Sequence, residues 1–197
     1  MRKFADDRLF DPRRALTKHF RLGEFTKSAT AEKHQLYNIP REEHELANLR
    51  ALADQILEPA RTLVGAPLLV TSGYRCATLN RLIGGAVQSQ HMLGEAADFI
   101  PQSQNPNTGK NTSLGMDVEE AALLLSAQPD LRFDQLVFEI RERENAAPIR
   151  WIHISHKRLG GNRREVLSIL HTANGLHVRP GVVDYSSFVT EANRNEA

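Results

Sequence analysis

The chain has 197 residues, 41% of them hydrophobic and 25% charged, an ordinary composition for one globular domain with a small appendage. Its 25 Lys and Arg nearly balance its 24 Asp and Glu, so no global charge points to nucleic acid or to a membrane surface. The single cysteine, Cys76, excludes an internal disulfide, and no window approaches the run of about 20 apolar residues that crosses a bilayer.

Residues 1–40 are polar and broken, with Leu22-Gly23-Glu24-Phe25 suggesting an ordered arm packed on the domain. The first residues carry positive charge without an apolar stretch behind them, so they do not read as a signal peptide. A helix is predicted over 41–64, where Leu46, Leu49, Ala53, Ile56, Leu57, Ala60, Leu63 and Val64 recur at spacings of three and four. Pro59 should kink or interrupt it, and Gly65 should stop it. Leu68-Leu69-Val70-Thr71 reads as a buried strand, residues 77–83 as a short helix closed by Gly84-Gly85, and residues 95–100 as a strand.

A polar loop rich in Asn, Ser, Thr and Gly is expected over 102–115, a candidate lid. Asp117 should cap a helix running to about residue 128. Strands are predicted over 133–140, 150–156 and 165–170, the first two joined by a charged segment. Residues 41–172 thus form the main domain, and residues 173–197 read as an irregular tail.

His91 and Asp98 stand seven apart with Gly94 between them, a spacing that lets both reach one ion if the glycine makes a tight turn. Imidazole nitrogen and carboxylate oxygen suit zinc, although such a pair also occurs in proteins without metal. In Arg150-Trp151-Ile152-His153-Ile154-Ser155, alternation places Ile152 and Ile154 toward a core and His153 on the opposite face with Trp151. In the preceding strand Leu136, Phe138 and Ile140 face the core, and Gln135, Val137 and Glu139 face away. If the two strands pair, Glu139 and His153 share one surface, where a carboxylate could accept a proton from water beside a metal. The alternative is an exposed histidine and a solvated glutamate. The basic residues Arg141, Arg143, Arg150, Lys157, Arg158, Arg163 and Arg164 thicken locally, either as a solvated face or as a surface for an anionic polymer.

The segments Thr71-Ser72-Gly73-Tyr74-Arg75, Leu79-Asn80-Arg81, Gly84-Gly85 and Ser89-Gln90-His91-Met92-Leu93-Gly94-Glu95-Ala96-Ala97-Asp98-Phe99 resemble the zinc D-Ala-D-Ala carboxypeptidases and related murein endopeptidases. Phe133-Asp134-Gln135-Leu136-Val137-Phe138-Glu139 and Trp151-Ile152-His153-Ile154-Ser155 resemble their phage and bacterial branch, and the likeness spans roughly residues 20–170. It implies an α+β fold of the hedgehog/DD-peptidase type, with a small antiparallel sheet against helices. It further implies zinc on His91, Asp98 and His153, Arg75 supporting the charge on the attacked carbonyl, and Ser89 against the substrate peptide.

The chain departs from that pattern where several relatives carry a Glu three residues, or a His two residues, before the last metal histidine. Here those positions hold Arg150 and Trp151, so Glu139 becomes the candidate general base. Residues 104–113 look like an insertion, and Cys76 reads as a packed thiol. The expected function is hydrolysis of peptidoglycan stem peptides containing D-amino acids, as a carboxypeptidase or endopeptidase. The alternative on the same fold is a non-catalytic zinc-containing binding or virion-structural module. Synthesis in the cytoplasm and delivery to the wall by another factor, as for a phage lysin or a part of a phage particle, complete the expectation.

Overall fold

The computed structural model describes residues 10–104, 111–112 and 116–188. Two short helices, α1 (Leu22–Thr26) and α2 (Ala29–Lys33), precede α3 (Glu43–Leu52) and α4 (Glu58–Val64). Strand β1 (Leu68–Ser72), helix α5 (Ala77–Leu82) and strand β2 (Ala96–Pro101) follow, then a small ribbon of β3 (Ser103–Gln104) and β4 (Asn111–Thr112). Helix α6 (Val118–Ser126) leads into β5 (Gln135–Arg143), β6 (Ala146–Ser155), β7 (Glu165–Thr172) and β8 (Gly175–Pro180).

The long helix predicted over 41–64 forms with its apolar stripe inward: Leu49, Leu52, Ile56, Leu57 and Ala60 are fully buried. Its irregularity lies just ahead of Pro59. Residues Ala53–Leu57 make a π-helical turn in which the Glu58 N–H reaches back to the Ala53 carbonyl. A proline lacks the N–H that the carbonyl four residues earlier would accept, and its ring crowds that carbonyl, so a widened turn lets the helix axis continue. Gly65, at φ 69° with the last N–H bonds to Arg61 and Thr62, ends it. Asp117 caps α6 as expected, its carboxylate accepting from the Glu119 N–H at 2.8 Å.

One face of the sheet carries the core. Phe99, Leu136, Phe138, Ile140, Ile152 and Ile154 are fully buried and share one cluster with the helix residues and with Leu16, Phe20, Leu22 and Phe25 of the arm. The arm is therefore part of the same core.

The sheet departs from the expected small antiparallel one. It has six strands in the order β1-β2-β6-β5-β7-β8, and β5 and β7 run parallel, from Gln135 opposite Glu165 to Arg141 opposite His171. The reason lies in residues 156–164, which carry the chain past the start of β5. The fully buried Asp134 holds that crossing in place, with Arg163 Nη2 at 2.8 Å and Lys157 Nζ at 3.1 Å. Burial alone would raise the Asp134 carboxyl, but hydrogen bonds from Arg163 and Lys157 outweigh it and bring it down to about 2.

Residues 175–180, expected to be irregular, form β8 against β7 through a two-residue turn, Thr172 opposite Gly175. The charged link between β5 and β6 is likewise a tight two-residue turn, with Arg143 opposite Ala146 and Asn145 at φ 55°. Of the expected insertion, β3 and β4 pair at its two ends; residues 105–110 and 113–115 of the expected loop and residues 189–197 of the expected tail lie outside the described residues.

Candidate metal centre

Strand register brings the first pair of candidate ligands together. On β2, Asp98 lies opposite Ser72 of β1 on one side and opposite His153 of β6 on the other. Neighbouring strands are ~4.8 Å apart, and directly opposed side chains share a face, so Asp98 and His153 meet without any special loop.

His91 arrives differently, on a short 3-10 turn, Gln90–Leu93, ended by Gly94 at φ 71°. A side chain at Gly94 would collide with the Glu45 carbonyl and crowd the Leu49 side chain, so the turn sits hard against α3. Gly73 is similarly constrained, because a Cβ there would stand 2.6 Å from the Phe25 Cα. Its backbone serves the site directly: the Gly73 carbonyl lies 2.6 Å from His91 Nδ1.

A carbonyl can only accept, so His91 Nδ1 carries the proton and Nε2 presents its lone pair. That nitrogen lies 3.2 Å from His153 Nδ1 and 3.2 Å from Asp98 Oδ1, which is itself 2.9 Å from His153 Nδ1. Three ligand-type atoms thus form a nearly equilateral triangle. Around a tetrahedral zinc with ligand distances of about 2.1 Å, adjacent ligand atoms would be separated by about 3.4 Å, so the triangle is close to one face of that tetrahedron. The donor set fits the ion in kind and in spacing.

The electrostatics agree. Burial pushes the His91 imidazole below its ordinary value, against the pull of Asp98, and so favours the neutral form that binds metal. Burial opposes the Asp98 charge, but attraction and hydrogen bonds from His91 and His153 prevail, holding its carboxyl well below the usual carboxylate range. His91 and Asp98 are buried. Among the described residues His91, Asp98 and His153 are the group of ligating side chains close enough to share an ion.

The family model for Peptidase M15 matches residues 18–123. The chain belongs to the Peptidase M15 family. It is therefore a member of the zinc D-Ala-D-Ala carboxypeptidase-like peptidases, which explains why two imidazoles and a carboxylate are brought to one point. The match ends before β5, so the third candidate ligand, His153, comes from outside the matched stretch. Comparison with curated proteins finds no match.

The other predicted residues stand at different distances from this centre. Arg75 lies beside it: Nη2 donates to Asp98 Oδ2 at 2.6 Å, and Nε donates to Ser72 Oγ at 2.9 Å. Its loop is pinned by Asn38, whose amide donates to the Tyr74 carbonyl at 2.9 Å and whose Oδ1 accepts from the Cys76 N–H at 2.8 Å. Neither Ser72 nor Asn38 was singled out as a support for Arg75. Ser72 stands in the quoted motif, but Asn38 lies 37 residues earlier in a stretch without pattern. Ser89 precedes the His91 turn, with its carbonyl accepting from the Met92 N–H at 3.0 Å.

Glu139 lies on the same sheet face as His153, as parity requires, but one step along: Val137 is opposite His153, and Glu139 is opposite Trp151. It stands outside the three-ligand group, and its Oε2 pairs with His171 Nε2 at 2.6 Å. The basic residues do not form one patch. Lys157 and Arg163 neutralise Asp134, Arg164 donates to the carbonyls of Ser126 at the end of α6 and of Gln128 and Leu131 in the loop after it, and Arg141 lies over the Trp151 ring at 5.4 Å.

Proposed function

We propose that this peptidase, on a fold of the hedgehog/DD-peptidase type, uses zinc to hydrolyse peptide bonds involving D-amino acids in bacterial peptidoglycan. The observation that carries the reading is the triangle of His91 Nε2, Asp98 Oδ1 and His153 Nδ1. Three donors among the described residues leave a tetrahedral ion one position for water or substrate, which is the arrangement of catalytic rather than structural zinc. When bound there, zinc would supply a Lewis acid that polarises a carbonyl and makes water nucleophilic near neutral pH.

The side chains supply the rest. Gly73 and the Nδ1–H of His91 fix the ring so that one nitrogen is available. Arg75 holds Asp98 through Nη2, and we assign its Nη1 to the substrate carbonyl oxygen, where charge grows during attack. Glu139, diagonal to His153 across two paired strands, takes the proton of the attacking water and returns it to the leaving amine. Diagonal neighbours lie ~7 Å apart at the backbone, a separation that a glutamate and one water can span. Ser89 lines the approach to His91 and contacts the peptide.

The test is digestion of purified peptidoglycan by zinc-loaded protein, with products identified by mass spectrometry. New carboxyl termini at D-amino acids are expected. Fully zinc-loaded protein that releases no product would instead support a binding or virion-structural module.

A further inference from the structure

His171 lies on β7 and Trp151 on β6, the two strands that flank β5. Strands two apart are separated by ~9.6 Å, yet the His171 and Trp151 ring centroids are 5.5 Å apart, tilted at 35°. The two rings therefore lean toward each other across β5, where Trp151 stands opposite Glu139 and His171 stands opposite Arg141, one step further along. On the same face His171 Nε2 reaches diagonally to Glu139 Oε2 at 2.6 Å, with only 21% and 16% of the side chains exposed. A typical surface pair is held loosely by two solvated chains. This one is short, largely covered and braced by an indole that Arg141 covers at 5.4 Å. Oε1 of Glu139 accepts no hydrogen bond among the described residues.

We infer that His171 is a positioning residue for Glu139, donating its Nε2–H to Oε2 so that Oε1 is left to receive the proton of the attacking water. The inference deepens the reading of Glu139 as general base and rests on it. His171 touches neither the three ligands nor the reacting atoms. It acts by fixing which carboxylate oxygen is occupied and which way the free one faces. Trp151 supplies the wall against which the imidazole is held.

Four proteins with measured zinc content test this on soluble peptidoglycan fragments: His171→Ala, His171→Gln, Glu139→Gln and the double variant His171→Ala/Glu139→Gln. His171→Ala should lower kcat about 10-fold or more while leaving KM and zinc content near wild type, because a misdirected base affects the transition state alone. His171→Gln should recover most of that loss, since an amide N–H can stand near the lost Nε2–H. In the Glu139→Gln background, removing His171 should cost less than about twofold, as expected when two residues act through one step. Independently of activity, the ¹⁵N shifts of the His171 ring should report a protonated Nε2.

Wild-type kcat in His171→Ala beside a disabled Glu139→Gln would overturn the positioning role while sparing the base. Equal losses from His171→Ala in both backgrounds, or an unprotonated Nε2, would overturn it too. Wild-type turnover in Glu139→Gln would remove the base and the inference with it.

Discussion

Arg75 shows how much of this site depends on the geometry of single side chains. Its guanidinium meets Ser72 Oγ and Asp98 Oδ2 with two different nitrogens, a fork that one ammonium cannot reproduce. Arg75→Lys should fold and bind zinc, yet lose about 100-fold in kcat, the scale for removing one donor to a developing oxyanion. Steady-state kinetics on a wall peptide, beside metal analysis, checks both halves; unchanged turnover would reassign Arg75 to orienting Asp98. The three candidate ligands were legible in the sequence through the family resemblance, to which a glycine-broken turn at His91, the entry to a strand at Asp98 and alternation at His153 add only weak local signals. The face of Glu139 was legible by the same parity. Its partner was not, because His171 becomes a neighbour only once β7 lies beside β5, and alternation within a strand says nothing about which strand comes next.

At the scale of elements, the turn before β2 is the tightest constraint on the centre. Gly94 combines φ 71° with a Cβ position filled by the Glu45 carbonyl. Gly94→Ala should therefore destabilise the fold by about 1–3 kcal/mol through strain, and weaken zinc binding as the His91 turn is pushed off α3. Urea denaturation and a zinc titration would measure the two effects, and normal values for both would show that the turn relaxes freely. Helices α3 to α6 and strands β1, β2, β5, β6 and β7 were readable from their apolar repeats or runs and their capping residues, whereas α1 and α2 lie in a polar, broken stretch that carries no such repeat. Strand β8 was not: Leu176 and Val178 are 63% and 56% exposed, so its alternation marks no buried face. The π-helical turn escaped for another reason. Pro59 announces a disturbance, but whether the chain bends or widens depends on what the helix packs against.

Across the whole molecule, two long-range ties should be measurable. Asp134, held at about 2 by Arg163 and Lys157, has a folded value below its unfolded one near 3.8. Its contribution to stability is therefore complete above about pH 4 and disappears as the pH falls toward 2. Asp134→Asn should have a lower Tm than wild type at pH 7, and the gap should narrow through that window; a constant gap would locate its effect in packing alone. The second tie is the ion itself. Zinc that binds the folded chain adds stability by mass action, about 2.7 kcal/mol when free zinc is 100-fold above its Kd. Stripping it with a chelator should lower Tm reversibly in wild type and leave His153→Ala unmoved.

The strand order β1-β2-β6-β5-β7-β8 also sets a timetable. A chain made from its N-terminus completes His91 and Asp98 early, but the edge of β2 that carries Asp98 toward His153 stays open until residues 146–155 have been synthesised. An open strand edge is a template for wrong partners, and during that interval the two candidate ligands already made lack the third. The centre should therefore assemble late, when β6 fills the gap. A chain truncated after residue 143 should retain no ordered metal site and should aggregate through that edge, which metal analysis and light scattering would detect.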